Sequence, residues 1–151
     1  MILNELLTRQ NVFTKIVLKD GDKELPKELK VKVMRIRMAY AKVKKNFDLE
    51  VQEFTEELIT DEFRNLRNKE DKTQEEIIRF NALSDSLNSE YQEFLKQKGF
   101  EEVPAIEDSF TIDEYTEILD VNSGLDVDIN GVKVSAVDFM ELFWNLFVEE
   151  E

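Results

Sequence analysis

The sequence predicts a mainly α-helical domain: an antiparallel hairpin of two long amphipathic helices, joined in the C-terminal third by shorter helices and one small β-hairpin. Three observations carry this. Apolar residues recur at steps of three and four between residues 29 and 58, and again between residues 77 and 95, which is the spacing of a helix that buries one face. Only 4 Gly and 2 Pro stand among 151 residues, too few for a loop-rich chain. Asn130-Gly131 sits between two apolar runs, and this dipeptide suits the positive φ that a two-residue hairpin turn demands.

The elements follow in order. Ile2, Leu3, Leu6, Leu7, Phe13, Ile16 and Val17 fit a short helix, with a strand over 12–18 as the competing reading. Asp20-Gly21-Asp22 supplies turn chemistry, and Pro26 stands where a new helix can begin without a backbone N–H. The first long stripe is Leu29, Val33, Ile36, Tyr40, Val43, Phe47, Val51, Phe54 and Leu58. Local alternation in LKVKVMRIRM competes as a strand, but Val33 and Met34 are adjacent apolar residues, so a strand would switch faces midway. A helix is therefore expected. Residues 60–72 are mostly polar and either extend that helix or form a linking turn.

Thr73 followed by Glu76 is a capping box, in which the hydroxyl accepts from the third residue's N–H and the carboxylate reaches back to the cap. The second long helix starts there, runs through Ile77, Phe80, Leu83, Leu87, Tyr91, Phe94 and Leu95, and stops at Gly99. Two such helices joined by a modest connector pack antiparallel. Val103-Pro104 breaks the pattern, and Thr111 with Glu114 opens a short helix by a second capping box. Strands over 125–129 and 132–134 flank the Asn-Gly turn, and Ser135 with Asp138 caps a final helix over 136–148. The whole reads as a single domain, 1–151, with residues 1–99 as a helical scaffold and 100–151 as an acidic segment.

Composition narrows the function. The chain holds no Cys and no His, which removes the usual zinc sets, disulfides, thiol nucleophiles and imidazole bases. GxGxxG, GxxxxGK[ST] and GxSxG are absent, so nucleotide binding and serine hydrolysis lack their sequence support. No cofactor and no enzyme activity are expected. Neither a signal peptide nor a membrane span is read from the sequence. Charge is uneven: residues 1–45 carry a net +7, residues 46–99 a net −7, and residues 100–151 a net −14 with Lys133 as the sole base.

Three candidate sites emerge. Asp126-Val127-Asp128-Ile129-Asn130-Gly131 matches the first six positions of a calcium-binding EF-hand loop, with Asp126, Asp128 and Asn130 as ligands. The twelfth position, which should be a bidentate Glu, is Val137, and no long entering helix precedes the loop, so an acidic hairpin is the favoured reading. The first long helix presents a basic face that includes Lys30, Arg35, Arg37, Lys42 and Lys45. A net charge of −14 opposes long-range attraction to nucleic acid, and pairing of these cations with neighbouring acids is favoured. The final helix is apolar almost all round; Phe139, Phe143, Trp144 and Phe147 either close the chain's own core or dock a partner subunit, with the core slightly preferred.

Leu25-Pro26 leading into AYAKVKKNF, the second helix through NSEYQEFL, and a final apolar helix after NGVKVSAVDF resemble small, mostly helical proteins of tailed bacteriophages whose function is unassigned. The resemblance implies a phage origin, a place in the virion or the host cytoplasm, and a role in virion assembly or host takeover. It supplies no catalytic residues. The expected function is a non-enzymatic interaction or structural protein with a protein partner from the virion, the host or a second copy. The alternative is an acidic decoy that imitates nucleic acid and occupies a host nucleic-acid-binding or defence protein.

Overall fold

Leu3, Leu6, Val12 and Phe13 line one side of the first helix, α1 (Leu3–Thr14), and all four are buried. The computed structural model of the chain describes residues 1–149; Glu150 and Glu151, the end of the acidic segment, lie outside the described residues. After α1 the chain makes a small antiparallel ribbon, β1 (Lys19–Asp20) and β2 (Lys23–Glu24), around Gly21 at φ +60. The sequence reading has only a turn here. Pro26 then caps α2 (Lys27–Leu58), whose 32 residues span about 48 Å.

The two halves of α2 lie in different surroundings. Leu29, Val33, Ile36 and Tyr40 are fully buried, whereas Phe47, Val51, Phe54 and Leu58 continue the same stripe only half-buried. The expected polar connector is a helix, α3 (Asp61–Asn68), capped by Thr60 accepting from the Phe63 N–H. The Thr73–Glu76 capping box is formed and opens α4 (Gln74–Gly99). Phe54 stacks on Phe94 with centroids 4.0 Å apart, and Phe63 stacks on Phe80 at 5.3 Å. The distal part of α2, with α3 and α4, is thus an arm held by a half-covered apolar seam. Within α3 and α4 the only buried residue is Gly99.

The C-terminal third returns to α1 and the first half of α2. Ile2 bridges to Glu102, and the Leu3 N–H donates to the Glu101 carbonyl at 2.9 Å. The helix α5 (Ile112–Asn122) starts at the Thr111 capping box. It leads to β3 (Asp126–Ile129) and β4 (Val132–Ser135), paired around Asn130 at φ +52 and Gly131 at φ +84, the left-handed pair that a type I′ turn requires. Residues from α1, α2 and the C-terminal third share one core. Within this core the acidic segment supplies about half of the buried residues, and the arm is the part that stands outside it.

At the centre of this core, Phe13 meets Tyr40, Phe110 and Phe147 at centroid distances of 5.5, 5.8 and 4.8 Å. A polar clasp crosses the same region. Arg9 Nη1 donates to both Asp108 oxygens at 2.9 and 3.0 Å and to the Leu146 carbonyl at 2.7 Å, while Nη2 reaches Glu5 at 3.1 Å. The Tyr40 hydroxyl donates to the same Asp108 carboxylate. Burial opposes the Arg9 charge, but Asp108 and Glu5 outweigh it and raise its pKa. Burial, and then the bond to Asp108, pushes the Tyr40 hydroxyl well up.

The final helix departs from the single element expected over 136–148. It divides at Phe143 into α6 (Ala136–Leu142) and α7 (Trp144–Phe147). Phe143, at φ −111 and ψ 10, leaves the helical path, and after α7 the Phe110 N–H donates to the Phe147 carbonyl at 2.6 Å and Phe110 forms a parallel bridge with Val148, which ends the helix in an extended path.

Candidate interaction surface

The basic face resolves into two groups. Lys30 pairs with Glu24. Lys32 pairs with Glu114 at 2.9 Å and lies 4.8 Å from the Phe110 ring centroid, and Lys44 pairs with Asp48 at 2.8 Å. Arg37 donates to the carbonyls of Phe13 and Ile16, satisfying the end of α1 and the turn after it, and burial lowers its pKa. Of the basic face, Lys30 and Arg37 thus belong to the fold. Arg35, Lys42 and Lys45 are exposed and form no ion pair among the described residues.

These three cations share their side of α2 with apolar residues that the sequence reading passed over. Val31, Met34, Met38 and Leu49 are 38, 49, 71 and 48% exposed. At about 100° per residue they lie opposite the buried Leu29, Val33, Ile36 and Tyr40. Helix α2 is therefore bifacial, with a core stripe on one side and an apolar stripe studded with cations on the other. No acid occurs between Glu28 and Asp48 to neutralise that side from within the helix. Open grooves of about 260 and 400 Å³ run beside it and meet at Gln10 and the exposed Ala41. The missed signal was present in the sequence: Val31, Met38, Lys42, Lys45 and Leu49 follow one another at steps of 7, 4, 3 and 4.

Comparisons with known proteins add no name to this surface. No protein-family model matches the chain, and no curated protein or solved structure is similar to it.

The C-terminal aromatic candidates are placed differently from a docking patch. Phe139 and Phe147 are buried at 3 and 1% exposure, inside the chain's own core. Phe143 and Trp144 are half-buried, Phe143 against Phe139 at 5.1 Å and Trp144 edge-on to Tyr115 at 4.8 Å. Offering Phe139 and Phe147 to a partner is thus corrected, because both lie inside the core shared by α1, the first half of α2 and the C-terminal third, which together form the head of the molecule. What α6 does present is Leu142, 77% exposed, with exposed Glu141 and Asp138 on the same short helix. In a run that is apolar nearly all round, periodicity gives no way to tell the outward residue from its neighbours.

The calcium-like run is the β-hairpin. Asp126 stands opposite Ser135 and Asp128 opposite Lys133, both on the exposed side of β3. Asp128 Oδ1 accepts the Gly131 N–H at 2.8 Å, and Asn130 supplies the first left-handed residue of the turn. Among the described residues no group of three or more carboxylates converges as a metal site would need. The alternation that resembles a ligand loop is the alternation of a strand with one face in water.

Proposed function

We propose that this chain is a non-enzymatic, phage-type interaction protein that serves virion structure or assembly and engages its protein partner through the outer face of α2. The observation that carries the reading is Met38, 71% exposed, in an apolar stripe flanked by three cations that form no ion pair among the described residues. A solvated helix face has little use for four exposed large apolar residues in one row, and contiguous apolar surface rimmed by charge is what interfaces present. Among the described residues no helix is long and apolar enough to cross a membrane. The phage setting rests on the sequence resemblance alone.

The experiment is site-specific crosslinking in a lysate of the native host. A photoreactive residue at position 38 should capture one discrete protein species, and the same group at the exposed Lys133 should not. Failure to crosslink from position 38, or equal capture from both sites, removes the reading. The acidic decoy is the second reading, and it is favoured by the outward carboxylates of Glu107, Asp113, Glu117, Asp120 and Glu141 with Lys133 as the segment's only base. It predicts capture of a nucleic-acid-binding protein from those positions rather than from position 38.

A further inference from the structure

Leu142 and Met38 are the two most exposed large apolar side chains of the described residues, at 77 and 71%. Their surroundings carry opposite charge. Met38 lies among Arg35, Lys42 and Lys45 on α2, and Leu142 lies beside Asp138 and Glu141 on α6. Both remain open to solvent, so neither covers the other within one chain. Each patch thus has an exposed apolar side chain within a rim of charge, and the two rims are of opposite sign.

We propose that the α2 face is covered by the α6 end of a second copy of this chain, with Leu142 seated beside Met38 and Glu141 facing Lys42. The proposal rests on the reading of α2 as an interaction face and names its partner. When both pairs form at once the contact is isologous and closes a two-fold dimer; when one forms alone it is heterologous and closes into a ring or propagates head to tail. The attraction is local: two copies of net charge −14 repel at a distance, and the pairing acts where the α2 cations meet the α6 acids.

Charge reversal tests the pairing on the intact chain. The wild type should show a weight-average mass above the 17.8 kDa monomer that rises with concentration and falls with added salt, as read by sedimentation and light scattering. Lys42→Glu alone and Glu141→Lys alone each place like charges across the contact, and each should weaken association by on the order of tenfold. An equimolar mixture of the two variants brings the reversed charges opposite each other and should restore association to nearly the wild-type level. Both side chains are exposed and make no hydrogen bond among the described residues, and unchanged circular dichroism verifies that the variants are folded.

Association of either variant at the wild-type level, or a mixture that stays monomeric, overturns the pairing. A wild type that is monomeric at every concentration overturns self-association. In that case capture of a foreign protein from position 38 keeps the interaction reading alone, and absence of capture removes both.

Discussion

Replacing Asp108 with Ala should be among the most damaging single changes available to this chain. Asp108 is 5% exposed and accepts from Arg9 through both oxygens and from Tyr40, whose side chain is wholly buried. Asp108→Ala leaves the Arg9 guanidinium, only 13% exposed, without its carboxylate and leaves the Tyr40 hydroxyl without an acceptor. Removing one partner of a buried pair costs about 3–5 kcal/mol. Arg9 keeps the Leu146 carbonyl and Glu5, so the lower end, about 3 kcal/mol, is expected.

Tyr40→Phe removes one bond to a charged acceptor and should cost about 1.5 kcal/mol. Urea unfolding near neutral pH, followed by the fluorescence of Trp144 on the neighbouring α7, measures both. Because Arg9 and Asp108 satisfy each other, Arg9→Met with Asp108→Ala should be at least about 1 kcal/mol more stable than the sum of the single losses. A loss under about 1 kcal/mol for Asp108→Ala, or strict additivity in the double variant, would refute the clasp as the join between α1, α2 and the C-terminal end.

Asn122 is 1% exposed and exchanges two hydrogen bonds with the Val17 backbone, at 3.0 and 3.1 Å, so Asn122→Ala should cost about 2 kcal/mol in a thermal melt and deprotect the Val17 amide; an unchanged melt would count against it. The Glu76 carboxyl is held down to about 2 by the Lys69 ammonium and the Thr73 N–H. A folded pKa below the usual 4.5 means that its help to α4 is complete above that value and fades as pH falls toward 2. An NMR titration with Glu76 at the ordinary carboxylate value would contradict this. Phe54→Ala removes a half-buried stacking partner of Phe94 and should cost the arm about 2 kcal/mol, a drop of roughly thirtyfold in amide protection. Head amides should keep theirs, and an equal fall in both would show that arm and head open as one unit.

The elements of this fold were legible wherever one residue type forces the backbone. Both capping boxes, the Pro26 start and the Asn130-Gly131 turn are local chemistry, and each stands where the sequence reading has it; α4 also ends at Gly99, but in right-handed backbone, where the glycine leaves room for Asn4 of α1. The long stripe was legible as a helix but not as two environments, because Tyr40 and Phe54 occupy equivalent positions of one repeat while only Tyr40 meets a third layer. The extended end at Val148 is bridged to Phe110, more than thirty residues away, and nothing local to 136–148 announces it. The interaction surface was half-visible. Arg35, Lys42 and Lys45 were named for charge, whereas Val31, Met34, Met38 and Leu49 were hidden by the stronger core stripe on the opposite side. Arg9 and Asp108 had no sequence signal at all, since an ion pair 99 residues apart leaves no trace in periodicity.

The charge asymmetry has a structural use that differs from its appearance in the sequence. Part of the surplus in residues 1–45 is met inside the head: Arg9 pairs with Asp108 and Lys32 with Glu114, and Lys23 donates to the Asp120 carbonyl and the Ser123 hydroxyl, each tying the basic part to the acidic third. What holds the head together is thus in part the attraction between the two ends of the chain, with Arg9–Asp108 sheltered and the others near water. Salt separates these roles, because screening acts on exposed charges and spares buried ones. Raising ionic strength should leave the urea midpoint of the head almost unchanged while abolishing contacts made through Arg35, Lys42 and Lys45. If the midpoint fell steeply with salt, the exposed pairs and not the apolar core and its clasp would be carrying the head. The three remaining cations on α2 would then be part of a diffuse field with no separate surface to serve.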